Sequence, residues 1–254
     1  MRAIGTSLLC ALLPACSGGS LEYAGSNHQV APQLLPAGAP NYGIFLYWPF
    51  DSDSLALSED VSGHQRTGAY AGTPSLSEPA PNGRVSNVRG IFLDGAGQSV
   101  SYASDAALTA FSVGVWLKPA SPASQPLFSA LDAAGDVAWT LELDAQGRFR
   151  LRSSPPAAGC EPSTACVVSS SPALADRWYQ VSATVEGGGP GHLFVNGAEQ
   201  GAAALKPVPA QPTRFVFGSE SAQASGFRGV IDEAIIYDWA VTASDIAALA
   251  HESQ

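Results

Sequence analysis

The 254 residues carry 12 Lys and Arg against 22 Asp and Glu, a formal net charge of −10. With no basic run to displace counterions from phosphates, nucleic acid is excluded as a partner. Charged residues make up 13% and hydrophobic residues 46%, while 26 Gly and 19 Pro favour many turns over long helices. A sizeable core under a surface of small polar residues is therefore expected, in one or two domains.

The chain opens with Met1-Arg2 and a mostly apolar stretch from Ala3 to Leu13. That stretch is shorter than the ~20 residues a membrane-spanning helix needs, and it suits a secretory signal. It ends in Leu13-Pro14-Ala15-Cys16, which resembles the bacterial lipobox, with Pro14 where Ala or Ser is usual. Residues 1–15 are thus expected to be removed and Cys16 to carry lipid; an ordinary signal peptide cut nearby is the alternative. Ser17 after the cysteine fits sorting to the outer membrane of the cell envelope. Residues 16–42 are rich in Gly, Ser, Pro, Ala and Asn and read as a flexible tether. The folded domain is expected to span residues 43–254.

Export leaves Cys160 and Cys166 as an even pair, expected to form a disulfide in an oxidising compartment. Closing so short a loop would contribute roughly 2 kcal/mol. Zinc would need further ligands, and no His lies near Cys160 in sequence.

From Gly43 onward, short apolar runs alternate with turn clusters, the pattern of a sandwich. Strands are expected at Ile44 to Phe50, Gly90 to Leu93, Ser99 to Tyr102 and Phe111 to Leu117. In the last, Phe111, Val113, Val115 and Leu117 share one face, and Ser112, Gly114 and Trp116 the other. Val137 to Asp144 and Arg148 to Arg152 flank Ala145-Gln146-Gly147, a hairpin signal. Trp178 to Val185 and His192 to Val195 follow, then Asn196-Gly197, which marks a tight turn of the primed type. Phe215 to Gly218 and Val230 to Tyr237 end the strands. Thr242 and Asp245 form an Asp version of a capping box, and Ile246, Leu249 and Ala250 make the apolar stripe of one short C-terminal helix.

These elements carry a family resemblance. Tyr47-Trp48-Pro49-Phe50-Asp51, Asp60-Val61-Ser62-Gly63-His64 and Leu93-Asp94-Gly95 resemble successive pieces of LamG-like domains in the concanavalin A-like superfamily. Phe111 to Pro119, Arg177 to Val181, Leu193 to Gly197 and Phe227 to Asp238 continue in the same order. The resemblance spans about residues 43–250 and implies an all-β jelly-roll sandwich of two antiparallel sheets. The fold hosts lectins, hydrolases, lyases and spacers, so function has to come from a site.

Hydrolases on this fold place Glu-x-Asp-x-Glu on one strand, and retaining chemistry needs two carboxyls about 5–5.5 Å apart. Here Glu142-Leu143-Asp144 is followed by Ala145-Gln146. Gln146 cannot act as an acid, and the strand is expected to have ended there. Glu142 and Asp144 read as a solvated pair at a strand end, and no catalytic residue is assigned. Glycoside hydrolase or lyase activity is carried as the alternative, and a structural envelope protein without a ligand as a third reading.

The resemblance also implies calcium, with Asp60 and Asp232 at matching positions and Asp51 and Asp94 as further acids. For sugars, Trp116 and Trp139 are candidate contacts because they lie on strands. Trp239 is a third, because it stands beside a surface turn. The first expectation is a lipid-anchored recognition module binding a glycan or an extracellular protein.

Overall fold

The structure is a computed structural model describing Leu35 and residues 38–54, 56–81, 88–104, 107–153, 166–187, 189–204, 212–220 and 226–250. The signal segment, Cys16 and Cys160 lie outside these. The described strands, in chain order, begin with β1 (Ile44–Trp48), β2 (Leu57–Ser58), β3 (Gly68–Ala71) and β4 (Ser75–Pro79). Next come β5 (Arg89–Asp94), β6 (Ser99–Ala103), β7 (Phe111–Pro119) and β8 (Gln125–Leu131). β9 (Val137–Leu143), β10 (Arg148–Ser153), β11 (Cys166–Pro172) and β12 (Tyr179–Val185) follow. The chain closes with β13 (Pro190–Val195), β14 (Ala198–Ala204), β15 (Arg214–Phe217), β16 (Arg228–Tyr237) and the helix α1 (Ala243–Ala250). Among the described residues no helix is long and apolar enough to cross a membrane.

The strands form two eight-stranded antiparallel sheets. The first has the order β14-β13-β12-β7-β16-β5-β4, with β1 also paired to β16; the second runs β11-β10-β9-β8-β15-β6-β3-β2. Alternation along β7 puts Phe111, Val113, Val115 and Leu117 into the core between the sheets. Facing them from the second sheet are Phe128, Trp139, Leu141, Phe215 and Phe217. Ring pairs lock the interior: Trp139 lies over Phe111 at 4.0 Å, and Trp48 meets the edge of Phe217 at 5.8 Å. Each such buried side chain stabilises by roughly 1.5–3 kcal/mol.

A second cluster covers the outer face of the first sheet. Ile44, Tyr47, Phe194, Ile235 and Tyr237 project outward and are roofed by Ile246 and Leu249 of α1 and by Leu35. The packed body therefore takes in residues before the compositional boundary at 43. Pro40 O accepts a hydrogen bond from the Tyr237 hydroxyl at 3.2 Å, and Ala39 packs on the same cluster. The helix starts as the capping pattern requires: Thr242 N donates to Asp245 Oδ2 at 3.0 Å, and Asp245 N donates to Thr242 Oγ1 at 3.3 Å. The Asn196-Gly197 turn has φ of 51° and 76° at its two residues, the primed geometry.

Candidate functional site

The last long strand carries two adjacent acids, Asp232 and Glu233, inside an apolar run. Strict alternation from Ile231, which faces the core, would drive Glu233 inward. Instead the register of β16 against β7 shifts between Asp232 and Ile235, and Glu233 takes a φ of 52°. Ala234 and Ile236 then face the core while Ile235 joins the outer cluster. An extra residue in one strand is a bulge, and a bulge re-aims a side chain. A non-glycine residue at positive φ stores strain of roughly 1–3 kcal/mol, which the surroundings must hold.

Around this bulge three strands supply oxygen atoms. The hydroxyl of Tyr47, on β1, donates to Glu233 Oε2. Gln180, on β12, pairs across the sheet with Trp116 on β7, which in turn pairs with Asp232. Gln180 is 2% exposed; its Nε2 donates to Ser182 Oγ at 2.6 Å, and its Oε1 is buried without a hydrogen-bond partner. Leaving a buried acceptor unpaired costs about 1–3 kcal/mol. Tyr47, Gln180 and Glu233 line a cavity of about 270 Å³, mouth included, with room for about one water. Gly114 lines it from β7: a Cβ there would stand 3.3 Å from Gln180 Nε2 and 3.2 Å from Ile235. Trp116 and Ile235 wall it, with Leu35 and Leu249 above. The cavity brings the Glu233 carboxylate, the Gln180 amide and the Trp116 indole together with apolar walls, and the unpartnered Gln180 Oε1 can accept from an O–H or N–H donor.

The three tryptophans chosen as ligand contacts separate. Trp116 walls the cavity and is 7% exposed. Trp139 is corrected to a packing residue: it points between the sheets, 4% exposed, stacked on Phe111. Alternation decided it, since Leu141 and Leu143 on the same face also enter the core. Trp239 is half-buried and stacks at 5.2 Å on Tyr42, which is 61% exposed.

The four aspartates proposed for calcium do not make one cage. Asp60 Oδ1 accepts from Tyr47 N and Ser62 N, both at 3.0 Å, and Oδ2 accepts from Ser62 Oγ and Arg66 N, both at 2.8 Å. Those bonds use the acceptor capacity of a carboxylate inside its own loop. Asp51 ties down Val88 N and Arg89 N, while Asp94 caps Ala96 N. Asp51 and Asp94 thus serve opposite ends of β5, on the order of 15 Å apart. Asp232 Oδ1 accepts from Glu233 N at 2.9 Å, within the bulge. Among the described residues no three His, Cys, Asp or Glu side chains group to hold a metal.

The carboxylates tested for hydrolysis are not a solvated pair. Glu142 is 6% exposed on the outer face of the second sheet, ion-paired to Arg150 and to Arg152 Nε, the latter at 3.0 Å. Arg152 also pairs with Glu220. Asp144 lies beyond the end of β9 and accepts from Gln146 N and Arg148 N at 2.8 and 2.9 Å. Burial alone would raise its carboxyl, but those N–H groups and the Arg148 guanidinium hold it below the usual range. Gln146 is exposed in the turn. Cys166 is disulfide-bonded.

Tyr47, Gln180 and Glu233 were not singled out as site residues by the sequence. The usable signal was the Asp232-Glu233 pair: two acids in succession cannot both face outward on a regular strand, so a bulge was implied there.

Residues 94–247, more than half of the chain, match the Laminin_G_3 family, described as the Concanavalin A-like lectin/glucanases superfamily. The chain belongs to that superfamily. Among solved structures, this superfamily member is similar to domain 4 of a GH43 extracellular arabinanase from Geobacillus stearothermophilus, in complex with arabinotriose. That match has TM-score 0.59 and 21% identity, covering 82% of this chain and 98% of that one. It is also similar to Trypanosoma rangeli sialidase in complex with the inhibitor DANA, at TM-score 0.61 and 15% identity, over 88% of this chain and 35% of that one. The botulinum neurotoxin serotype D ligand-binding domain in complex with N-acetylneuraminic acid matches at TM-score 0.59 and 13% identity, over 81% and 50% of the two chains. The superfamily member thus spans about a third of the sialidase and half of the toxin fragment. No curated protein matches it.

Proposed function

We propose that this superfamily member is a glycan-recognition module that works outside the cytoplasm, tethered by lipid at Cys16, and that it binds its ligand without transforming it. The observation that carries the reading is the cavity at the β16 bulge, where the unpartnered Gln180 Oε1 and the Glu233 carboxylate stand beside Trp116. Sugar hydroxyls can donate to the unpartnered Gln180 Oε1, and apolar walls accept the C–H surface of the same molecule. Two relatives of similar fold are recorded with arabinotriose and with N-acetylneuraminic acid, which supports a saccharide as the ligand class. The non-catalytic part of the reading is supported by Glu142, whose carboxylate is committed to two arginines rather than poised for proton transfer. A bridge from Cys166 to Cys160 and an outer-membrane location complete the proposal.

The test is binding of the full chain to a saccharide array, beside a Gln180→Leu variant whose fold is checked by circular dichroism. Saturable binding that falls about tenfold or more in Gln180→Leu is expected, since the variant removes the waiting acceptor. Equal binding by both proteins would take the cavity out of the site. Mass spectrometry of the protein from its native membrane should show acylated Cys16 as the first residue; an unmodified residue elsewhere would remove the anchor.

A further inference from the structure

Resting on that glycan reading, we infer that Tyr42 is a stacking platform at a second contact site, taking the C–H face of a pyranose ring in a neutral, β-linked oligosaccharide beside Asp238 and Arg66. The ring of Tyr42 lies on that of Trp239, with centroids 5.2 Å apart and planes 16° from parallel. One face is thus covered, yet Tyr42 is 61% exposed, so the opposite face meets solvent. Trp239 is held in place as the support. A Cβ at Gly43 would stand 2.6 Å from its Cδ1 and 2.7 Å from its Nε1, so glycine is what lets the indole settle on the backbone there. Gly43 also takes a φ of 64°, which a side chain would strain. Behind the indole, Ser112 Oγ donates to Trp239 O at 2.8 Å and accepts from Val241 N at 2.9 Å. Trp239 Nε1 is buried without a hydrogen-bond partner, so the indole serves here as a flat surface and not as a donor.

The groups beside the platform set the ligand class. An open aromatic face attracts either a cation or the C–H face of a sugar, and an unbalanced carboxylate next to it would favour the cation. Asp238 reaches solvent, with Oδ1 2.9 Å from the same Cβ position at Gly43. Burial pushes its carboxyl up, and the nearby charges of Arg66 and His64 draw it back down. The Arg66 guanidinium lies 3.9 Å over the Phe45 ring and donates to Phe45 O through Nη1, which leaves further N–H groups on its fork. Asp238 and Arg66 together present acceptors and donors whose charges cancel, which a neutral polyol can satisfy and an organic cation cannot. The open face sets the shape. A ring can lie on it with its neighbours continuing to either side, so a residue inside a chain fits. β-Linked glucose and xylose suit it because their equatorial hydroxyls leave axial C–H groups on the ring face. The platform is separate from the bulge cavity: Asp238 lies five residues beyond Glu233 along β16 and its continuation, on the order of 15 Å.

The experiment uses the full chain, screened on a saccharide array and titrated by calorimetry with cellotetraose and xylotetraose. At least one of the two should bind. Tyr42→Ala should weaken that binding about tenfold or more, while Tyr42→Phe, which keeps the ring, should change it about threefold or less. Near-ultraviolet dichroism checks the fold of each variant. On the unaltered protein, axial protons of the bound sugar should shift upfield in nuclear magnetic resonance, the ring-current mark of stacking, so the test survives a variant that fails to fold. Binding that Tyr42→Ala leaves unchanged, or no upfield shift, would overturn the inference, and a loss in Gln180→Leu would then leave the glycan reading standing at the cavity. Array binding confined to acidic or α-linked saccharides would likewise overturn the inference alone. Choline chloride should not compete; choline binding that Tyr42→Ala removes would make the platform a cation site and overturn it. No measurable binding to any saccharide would overturn the glycan reading and this inference together.

Discussion

Trp139 faces the core from β9 of the second sheet and Trp116 faces outward from β7 of the first, so their surroundings differ entirely. Trp139 is stacked on Phe111 inside the sandwich, so Trp139→Ala should cost about 3–5 kcal/mol through lost burial and the cavity left behind. Urea unfolding measures this; a loss under 1 kcal/mol, on the order of an exposed site, would mean the ring is not packed as described. Asp60 makes a second case at this scale. Its two oxygens hold four donors from Tyr47, Ser62 and Arg66, so a metal would have to displace protein N–H and O–H groups already in place. Calcium at ~10 mM, replaced by chelator, should therefore move Tm by no more than about 1 °C, whereas a site with ~0.1 mM affinity would add about 2.7 kcal/mol and several degrees. A shift of several degrees would place a calcium site beyond these contacts.

Hairpin β9–β10 turns on Asp144, and its charge gives the element a pH signature. Its folded carboxyl lies below the usual aspartate range because, although burial raises it, the backbone N–H groups of Arg148 and Gln146 and the Arg148 guanidinium outweigh burial. A depressed carboxyl contributes stability that is present above the unfolded value, about 3.9, and lost as pH falls through the folded one. Asp53 and Asp238 run the other way: burial raises both, so their cost is borne at neutral pH and relieved on acidification. Asp144→Asn should thus destabilise more at pH 6 than at pH 3, read from urea midpoints across that range. An equal loss at both would show that Asp144 acts only as a turn residue. The hairpin also shows what could be read in advance. Ala145-Gln146-Gly147 marked its turn, and β7, β9, β10, β12, β13 and β16 were legible because buried apolar residues recur along them. The strands β2, β3, β4, β8, β11 and β14 were not. β4 and β14 are edge strands of small and polar residues. β8 contains Pro126 and a register shift that breaks its period. β11 ends in Ser169, Ser170 and Ser171. The cavity stayed hidden for a related reason: Tyr47, Gln180 and Glu233 come from strands far apart in sequence, and only the bulge brings Glu233 to their face.

The whole molecule is closed by pairings between its distant parts. β1 pairs with β16 through Ile44↔Tyr237 and Trp48↔Ala234, so the two ends of the described chain share one ladder at the middle of the first sheet. β5 continues along the same edge of β16, pairing Arg228 to Ile231 while β7 holds the opposite edge, and β3 borders β6 in the second sheet. The stretch that matches the family, residues 94–247, omits β1 and nearly all of β5. It therefore lacks Leu46, Trp48, Phe50 and Ile91, each fully buried in the core, and leaves the edge of β16 opposite β7 unpaired. Unmet edges and a core missing such side chains cost far more than the 5–15 kcal/mol by which a domain is stable. Residues 94–247 expressed alone should show no cooperative thermal transition and no near-ultraviolet dichroism, whereas residues 35–250 should show both. A sharp transition from the shorter fragment would mean that the β1 and β5 pairings are additions to a unit already complete, and the cavity, which needs Tyr47 of β1, would then belong to an accessory layer rather than to the fold.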